Sequence, residues 1–174
     1  MKILLKILGG LAVLVLLLVV AAFFLPRQYR VQRSVVINAK PDAVLAQIAV
    51  LRAWKGWSAW HERDPHMKLA YSDQTAGVGS WASWESKNEG NGKMTITELT
   101  PTRVLYLLEF PDYDMKSTGT MELIPEGNGV RLVWSDVGEL GMNPMNRWFG
   151  LLLDKFIGRD FERGLANLKR KLET

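Results

Sequence analysis

The sequence of 174 residues contains no cysteine and only two histidines. The absence of cysteine excludes a disulfide framework and a thiolate zinc site, and it fits either side of a membrane. The chain also lacks a serine nucleophile elbow, a phosphate-binding loop and a dinucleotide fingerprint. The short motif Gly77-Val78-Gly79 precedes a predicted strand rather than a helix, so it indicates no nucleotide site.

An excess of charge of one sign is also missing. The formal net charge is +4, and it is near +2 once Lys2 and Lys6 are set aside. Such a value is too small to indicate a nucleic-acid partner. The two histidines, His61 and His66, are five residues apart, and Asp64-Pro65 between them disfavours a helical pair of metal ligands. We therefore expect a solvated loop there rather than a metal or catalytic site, and we expect no metal and no cofactor.

Charge is absent from residues 7–25, a run of 19 apolar or small residues. As a helix this run would measure about 28 Å, close to the hydrocarbon thickness of a bilayer. We predict a single-pass anchor over residues 1–27, in a membrane that we expect to be a bacterial inner membrane, followed by one domain over residues 28–174. Representative positions of the predicted span are Ile7, Leu11, Leu16, Val20 and Leu25.

The alternative for this segment is a cleavable secretory signal, because Val20-Ala21-Ala22 offers small residues at a suitable spacing. The apolar run is longer than the usual 7–15 residues of a signal core, which favours an uncleaved anchor. Lys2 and Lys6 on one side and Arg27, Arg30 and Arg33 on the other are nearly balanced, so the side of the membrane stays open.

Periodicity after the apolar run predicts an α+β domain. Residues 29–37 alternate as a strand, two short helices are expected over 42–50 and 52–57, and the last helix is expected over 144–172. Six further strands with turn residues between them are predicted at 67–71, 80–86, 93–99, 104–110, 116–124 and 130–136.

Short connections imply one curved antiparallel sheet of about seven strands. Alternation places Val130, Leu132 and Trp134 on its inner face, toward the apolar stripe of the last helix. Ser117 and Gly119 share the inner face of the preceding strand and leave space there. A curved sheet around a long helix predicts a cavity suited to a small apolar ligand.

This order of elements resembles the START-like (SRPBCC) superfamily, and specifically its polyketide cyclase/dehydrase branch. The resemblance covers residues 28–172 and is carried by an ordered set of segments. These are Tyr29–Val44, Trp54–Trp60 with Asp64-Pro65, Gly77–Ser80 before Trp84, Gly92–Ile96 and Gly158–Lys169. It implies a helix-grip fold whose cavity between sheet and helix binds lipids, polyketides or other hydrophobic molecules, without implying one activity.

The inner faces of the strands and the apolar stripe of the last helix give a set of candidate cavity residues: Met94, Ile96, Tyr106, Leu108, Met121, Leu132, Trp134, Phe156 and Phe161. The resemblance implies that Trp84 belongs to this set as well. Trp81 has the opposite parity to Trp84, and Trp54, Trp57 and Trp60 have a spacing more typical of core packing. Possible proton-transfer groups are Tyr71, Tyr106, Glu85 and Glu98, although parity favours a place for Glu98 at the edge or rim of the sheet. No catalytic residue is assigned.

The leading hypothesis is membrane-tethered binding of a hydrophobic small molecule, such as a lipid or a polyketide-like compound. One alternative is a cyclase or dehydratase, which needs an ionisable group with a supporting partner inside the cavity. Another is a stress or regulatory module that acts through its surface and has an unknown protein partner.

Overall fold

A computed structural model of the chain describes residues 2–113 and 115–174, apart from the side chains of Lys2 and Leu5. One predicted flanking charge, that of Lys2, therefore lies outside the described side chains. The elements in chain order are α1 (Lys2–Ala22), β1 (Gln28–Ile37), α2 (Pro41–Ala49), a 3-10 helix (Leu51–Gly56), α3 (Ala59–Arg63), β2 (Lys68–Tyr71), β3 (Trp81–Glu85), β4 (Gly92–Thr100), β5 (Arg103–Phe110), a 3-10 turn (Pro111–Tyr113), β6 (Met115–Glu126), β7 (Gly129–Glu139) and α4 (Pro144–Glu173).

The seven strands form one antiparallel sheet in the order β1-β7-β6-β5-β4-β3-β2. Strands β2 to β7 follow one another through short connections, and β1 joins the far side of β7 with Arg33 opposite Trp134. The long helix α4 packs across the inner face of this sheet. The predicted α+β architecture, with a sheet gripping a C-terminal helix, is confirmed.

Alternation along the strands builds the core as predicted. Leu132 and Trp134 on β7 and Met121 on β6 are fully buried against α4, where Leu165 and Leu168 are buried as well. Pro41 at the first turn and Asp42 near the positive end of the dipole begin α2 as expected.

The segment after the tryptophan cluster differs from the prediction. Ser58 caps the short helix α3, and its Oγ accepts a hydrogen bond from the backbone N–H of His61 at 3.5 Å. His61 is therefore held on a helix against the domain, whereas His66 is exposed beyond the break at Asp64. Three short helical segments follow β1 instead of the two predicted.

The N-terminal run forms α1, but the helix ends at Ala22, before the predicted limit of Leu25. A series of turns follows the helix, and the first of them has a hydrogen bond from Phe23 N to Val20 O. Leu25 is only partly exposed. The side chains of Ile7, Leu11, Leu16 and Val20 are exposed. Among residues 2–113 and 115–174, none of the helices combines the length and the apolar character needed to cross a bilayer. The predicted single-pass span is thus not supported.

Candidate functional site

A cavity of about 170 Å³ lies between the inner face of the sheet, α3 and α4. Its wall is mostly apolar and aromatic, with a few polar groups. The lining residues are Tyr29, Trp54, Ser58, Trp60, His61, Met67, Trp84, Glu89, Met94, Tyr106, Leu108, Phe110, Asp136, Ile157 and Phe161. A larger groove of about 520 Å³ between β1 and the end of α4 is open to solvent, so it suits a buried apolar guest less well.

Half of the predicted cavity residues lie on this wall: Trp84, Met94, Tyr106, Leu108 and Phe161. Ile96, Met121, Leu132 and Trp134 are buried in the core beside the wall. Phe156 is 51% exposed on the outer side of α4, so its predicted place in the cavity was wrong. In the first half of α4, the apolar stripe is wider than the surface that packs on the sheet. Some of its side chains therefore face away from the sheet.

The tryptophan cluster serves packing and the cavity together. The rings of Trp54 and Trp57 lie 4.6 Å apart at their centroids, and both are buried. Trp134 stacks on Phe161 at 3.9 Å and fills the space beneath α4. Trp54 and Trp60 add aromatic surface to the cavity wall, in addition to the packing role predicted for them.

One end of the cavity carries a buried carboxylate. Asp136 on β7 is 3% exposed. Tyr29 Oη donates a hydrogen bond to Asp136 Oδ1 at 2.7 Å, and Ser117 Oγ donates to Oδ2 at 2.9 Å. Burial raises the pKa of Asp136 to about 6, although both hydrogen bonds favour the charged form. The same burial, together with the adjacent carboxylate, raises the pKa of Tyr29.

Neither Asp136 nor Tyr29 is among the candidates from the sequence, although a signal for Asp136 exists. Residues at even positions of β7 face inward at Leu132 and Trp134, and Asp136 continues this parity. An acid on the apolar face of an alternating strand indicates a buried carboxylate. The hydrogen-bond partners of this carboxylate, Tyr29 and Ser117, are evident only from the fold.

Tyr106 occupies space that the sequence analysis assigned to the cavity. A Cβ atom at Gly119 would lie 1.9 Å from Tyr106 Cζ, so the tyrosine ring lies directly over this glycine. Trp134 Nε1 donates a hydrogen bond to Tyr106 Oη at 2.8 Å, and desolvation raises the pKa of Tyr106 well above its ordinary value. The glycine therefore admits a ring instead of leaving a void.

His61 contributes a second titratable group to the wall. Its Nδ1 lies 2.8 Å from Ser58 Oγ, and burial with the nearby charge of Lys55 lowers the pKa of His61. The neutral imidazole is thus favoured near neutral pH. The prediction that this position is a solvated loop was wrong because α3 packs His61 against the domain.

Three of the predicted proton-transfer candidates lie away from the cavity wall. Glu98 accepts hydrogen bonds from Arg103 beyond a register shift in β4, which disrupts the parity that it would share with Met94. Glu85 pairs loosely with Lys68 at 3.8 Å on the surface. The Tyr71 ring packs beneath Arg52, whose Cζ lies 4.4 Å from the ring centroid.

An ion-pair network joins three elements beside the cavity. Arg63 on α3 binds Glu89 through two hydrogen bonds of 2.8 Å, and it also binds Asp160 on α4. Glu89 belongs to the connection between β3 and β4 and lines the cavity. The network therefore closes one side of the cavity with charged side chains that are partly exposed to solvent.

Comparison with solved structures supports the fold assignment. The di-domain ARO/CYC protein StfQ from the steffimycin biosynthetic pathway aligns with 14% identity and a TM-score of 0.63 over 84% of this chain and 51% of that one. DynU16 from the dynemicin biosynthetic locus aligns with 16% identity and a TM-score of 0.57 over 83% and 47%. Protein jhp0584 from Helicobacter pylori aligns with 10% identity and a TM-score of 0.64 over 82% and 87%.

The chain thus spans about half the length of DynU16 and StfQ, and at these identities the likeness concerns the fold alone. No protein with a curated description matches the sequence significantly. A family profile, in contrast, matches residues 28–173, which include all seven strands and the whole of α4. The chain therefore belongs to the family described as polyketide cyclase / dehydrase and lipid transport.

Proposed function

We propose that the domain binds a hydrophobic small molecule, lipid-like or polyketide-like, in the cavity between the sheet and α4. The observation that supports this most strongly is a partly enclosed space of about 170 Å³ whose wall is mostly apolar and aromatic. An engineered apolar cavity of about 150 Å³ binds benzene. The cavity as it stands therefore suits a guest, or the buried part of a guest, of about single-ring size.

A larger lipid would need the wall to open. The wall beside Arg63, Glu89 and Asp160 is the candidate for opening, because partly exposed ion pairs hold it rather than a packed apolar core. Family membership supports small-molecule binding in general. The proposed source of the ligand is a lipid surface.

Binding is tested by thermal unfolding with phenol as the probe and a pair of tryptophan substitutions. Leu108→Trp fills the cavity, whereas Leu107→Trp adds the same ring on the opposite face of the same strand. Phenol at 100 times its dissociation constant stabilises a binding-competent chain by about 2.7 kcal/mol. We expect stabilisation of the unsubstituted chain and of the Leu107→Trp variant only. Equal stabilisation of both variants would contradict binding in the cavity.

A second candidate function is acid–base catalysis, and Asp136 is the observation that favours it. A carboxyl group with a pKa of about 6 exchanges protons readily near neutral pH, and Tyr29 and Ser117 fix its orientation. The chemistry that this arrangement supports is proton removal next to a carbonyl group, as cyclisation and dehydration require.

The test of catalysis is exchange of the α-protons of cyclohexanone in D₂O, followed by NMR. We expect the unsubstituted chain to accelerate exchange and Asp136→Asn to abolish the acceleration while phenol still binds. If the unsubstituted chain exchanges the α-protons of cyclohexanone no faster than buffer alone, catalysis is contradicted and ligand binding remains the proposed function.

A further inference from the structure

The first half of α4 exposes a row of large apolar side chains. Met145, Phe149, Leu152 and Phe156 are each about half exposed or more, and the rings of Phe149 and Phe156 stack with centroids 6.4 Å apart. The second half of the same helix buries its apolar residues against the sheet. The exposed row is therefore not needed to fill the core of the domain.

The apolar helix α1 joins this row at a fixed point. Arg147 on α4 is 1% exposed, and its Nη1 donates to the carbonyl oxygens of Ala22 at 3.3 Å and Phe23 at 3.2 Å. Trp148 Nε1 donates to Leu18 O at 3.2 Å. A cation at the carbonyl end of a helix satisfies free acceptors and the negative end of the dipole. Arg147 and Trp148 thus fix the end of α1 beside the start of α4.

We call this composite the apolar docking surface, comprising the exposed side chains of α1 together with Met145, Phe149, Leu152 and Phe156. Apolar side chains of α1 are exposed on every side, from Ile3 through Leu11 to Val20. A fluid lipid interface accommodates whichever of these side chains face it, whereas a protein groove must fit one defined side of the helix. Exposed apolar side chains clustered in this way mark a site of interaction with a partner or a membrane.

Basic residues border this surface along the chain. Arg27 and Arg30 follow α1, and Lys155 and Arg159 flank Phe156 on α4; all four are exposed and form no ion pair within the described part of the chain. Such residues beside an apolar surface complement anionic lipid headgroups. The charge and the apolar area therefore favour the same occupant.

We infer that the apolar docking surface binds the interface of an anionic lipid bilayer. Binding requires insertion of side chains and no helix that crosses the bilayer. Ile157 and Phe161 of α4 line the cavity, so docking brings the cavity wall next to lipid. Docking in this position would let a ligand pass from the bilayer into the cavity. This consequence alone rests on the proposed function.

The cysteine-free sequence permits a site-specific test on the full chain. Leu152→Cys on the docking surface and Ile124→Cys on β6 are labelled with the dye NBD; these two positions have similar exposure, 48% and 46%. The labelled protein is freed of any detergent used in its purification. Vesicles of phosphatidylcholine with about 30% phosphatidylserine are then added. We expect NBD emission at position 152 to rise several-fold and iodide quenching to fall, with no change at position 124.

Two outcomes would overturn the inference. If the chain floats with the vesicles while the label at position 152 stays accessible to iodide, α4 does not take part. If emission at position 152 rises with protein concentration alone and not with vesicles, the occupant is a second copy of the chain. Phenol binding in the cavity is measured separately, so an empty cavity and a failure to dock give different results.

Discussion

Asp136 lies on the apolar face of β7, at alternate positions from Leu132 and Trp134, and its carboxylate is almost fully shielded from water. Burial raises the pKa of this group to about 6 from an ordinary value near 3.8. Between about pH 4 and pH 6 the folded chain retains a proton that the unfolded chain has released. The contribution of Asp136 to stability therefore falls as pH rises through this window.

The first prediction compares the unsubstituted chain with Asp136→Asn, whose carboxamide does not titrate. A difference of two pKa units corresponds to at most about 3 kcal/mol. We expect the unsubstituted chain to lose up to this amount relative to the variant between pH 4 and pH 7, measured by urea unfolding. His61, with its lowered pKa, gives the opposite slope in both chains and cancels in the difference. A difference that does not change with pH would contradict a buried, titrating Asp136.

The second prediction concerns the close approach of Tyr106 to Gly119. Gly119→Ala places a methyl group within the volume of the tyrosine ring, so the ring must shift and its hydrogen bond with Trp134 is disturbed. Such overpacking costs about 1–3 kcal/mol of unfolding free energy. The same substitution introduced into Tyr106→Ala should cost much less, since the clashing ring is gone. Equal costs in the two backgrounds would show that the ring is not the cause.

For single residues, the sequence predicted the direction of side chains better than it predicted their hydrogen-bond partners. Alternation placed Tyr106 and Trp134 on the inner face of the sheet, where both are buried, whereas the family resemblance favoured Trp84. It did not reveal that Tyr29 and Ser117 both bind Asp136, because hydrogen bonds between side chains on neighbouring strands depend on the register of those strands. The same limit applies to Gly119, where a void was expected and a ring is found.

Among the elements, α4 performs two tasks along its length. Its second half packs on the sheet through Phe161, Leu165 and Leu168, and its first half exposes Phe149 and Phe156. Helical periodicity predicted the apolar stripe but not the point at which the sheet ceases to cover it. The limits of the sheet depend on long-range pairing, so a pattern within one helix carries no information about them.

Short elements were harder to predict than long ones. The strands and α4 were placed within a few residues of their observed bounds, whereas α3 was missed. Five residues give too little periodicity for a helical pattern, and the cap at Ser58 was the only local indication. The end of α1 at Ala22 was likewise not evident from hydropathy, since Phe23 and Phe24 continue the apolar run.

The third prediction tests whether Arg63 closes the side of the cavity. Arg63→Ala removes contacts that join α3, the connection 86–91 and α4. We expect the amides of 86–91 to lose at least about tenfold of their hydrogen-exchange protection, while amides of the central strands keep theirs because the opening is local.

The matched control for Arg63→Ala is Arg131→Ala. Arg131 also binds a glutamate, Glu126, through two hydrogen bonds, but both residues belong to the β6–β7 hairpin. Its loss should leave the protection of 86–91 unchanged. Equal effects of the two substitutions on this segment would mean that Arg63 has no specific role in closing the cavity.

For the molecule as a whole, the fold positions the proposed binding site in a simple way. The antiparallel sheet bends around α4, large aromatic side chains fill most of the space between them, and about 170 Å³ remains beside Asp136. The order of strands and the final helix could be predicted because each has a long, regular pattern. The volume of the cavity could not, since it is a small difference between the space enclosed and the side chains that fill it.

The central claim is that this remaining space receives a hydrophobic guest, and NMR of the chain with phenol tests it most directly. With methyl groups labelled, we predict nuclear Overhauser effects from the phenol ring protons to the methyl groups of Met94 and Leu108 on the cavity wall. Saturating phenol without these effects, or with effects confined to Leu152 on the outer side of α4, would contradict the account.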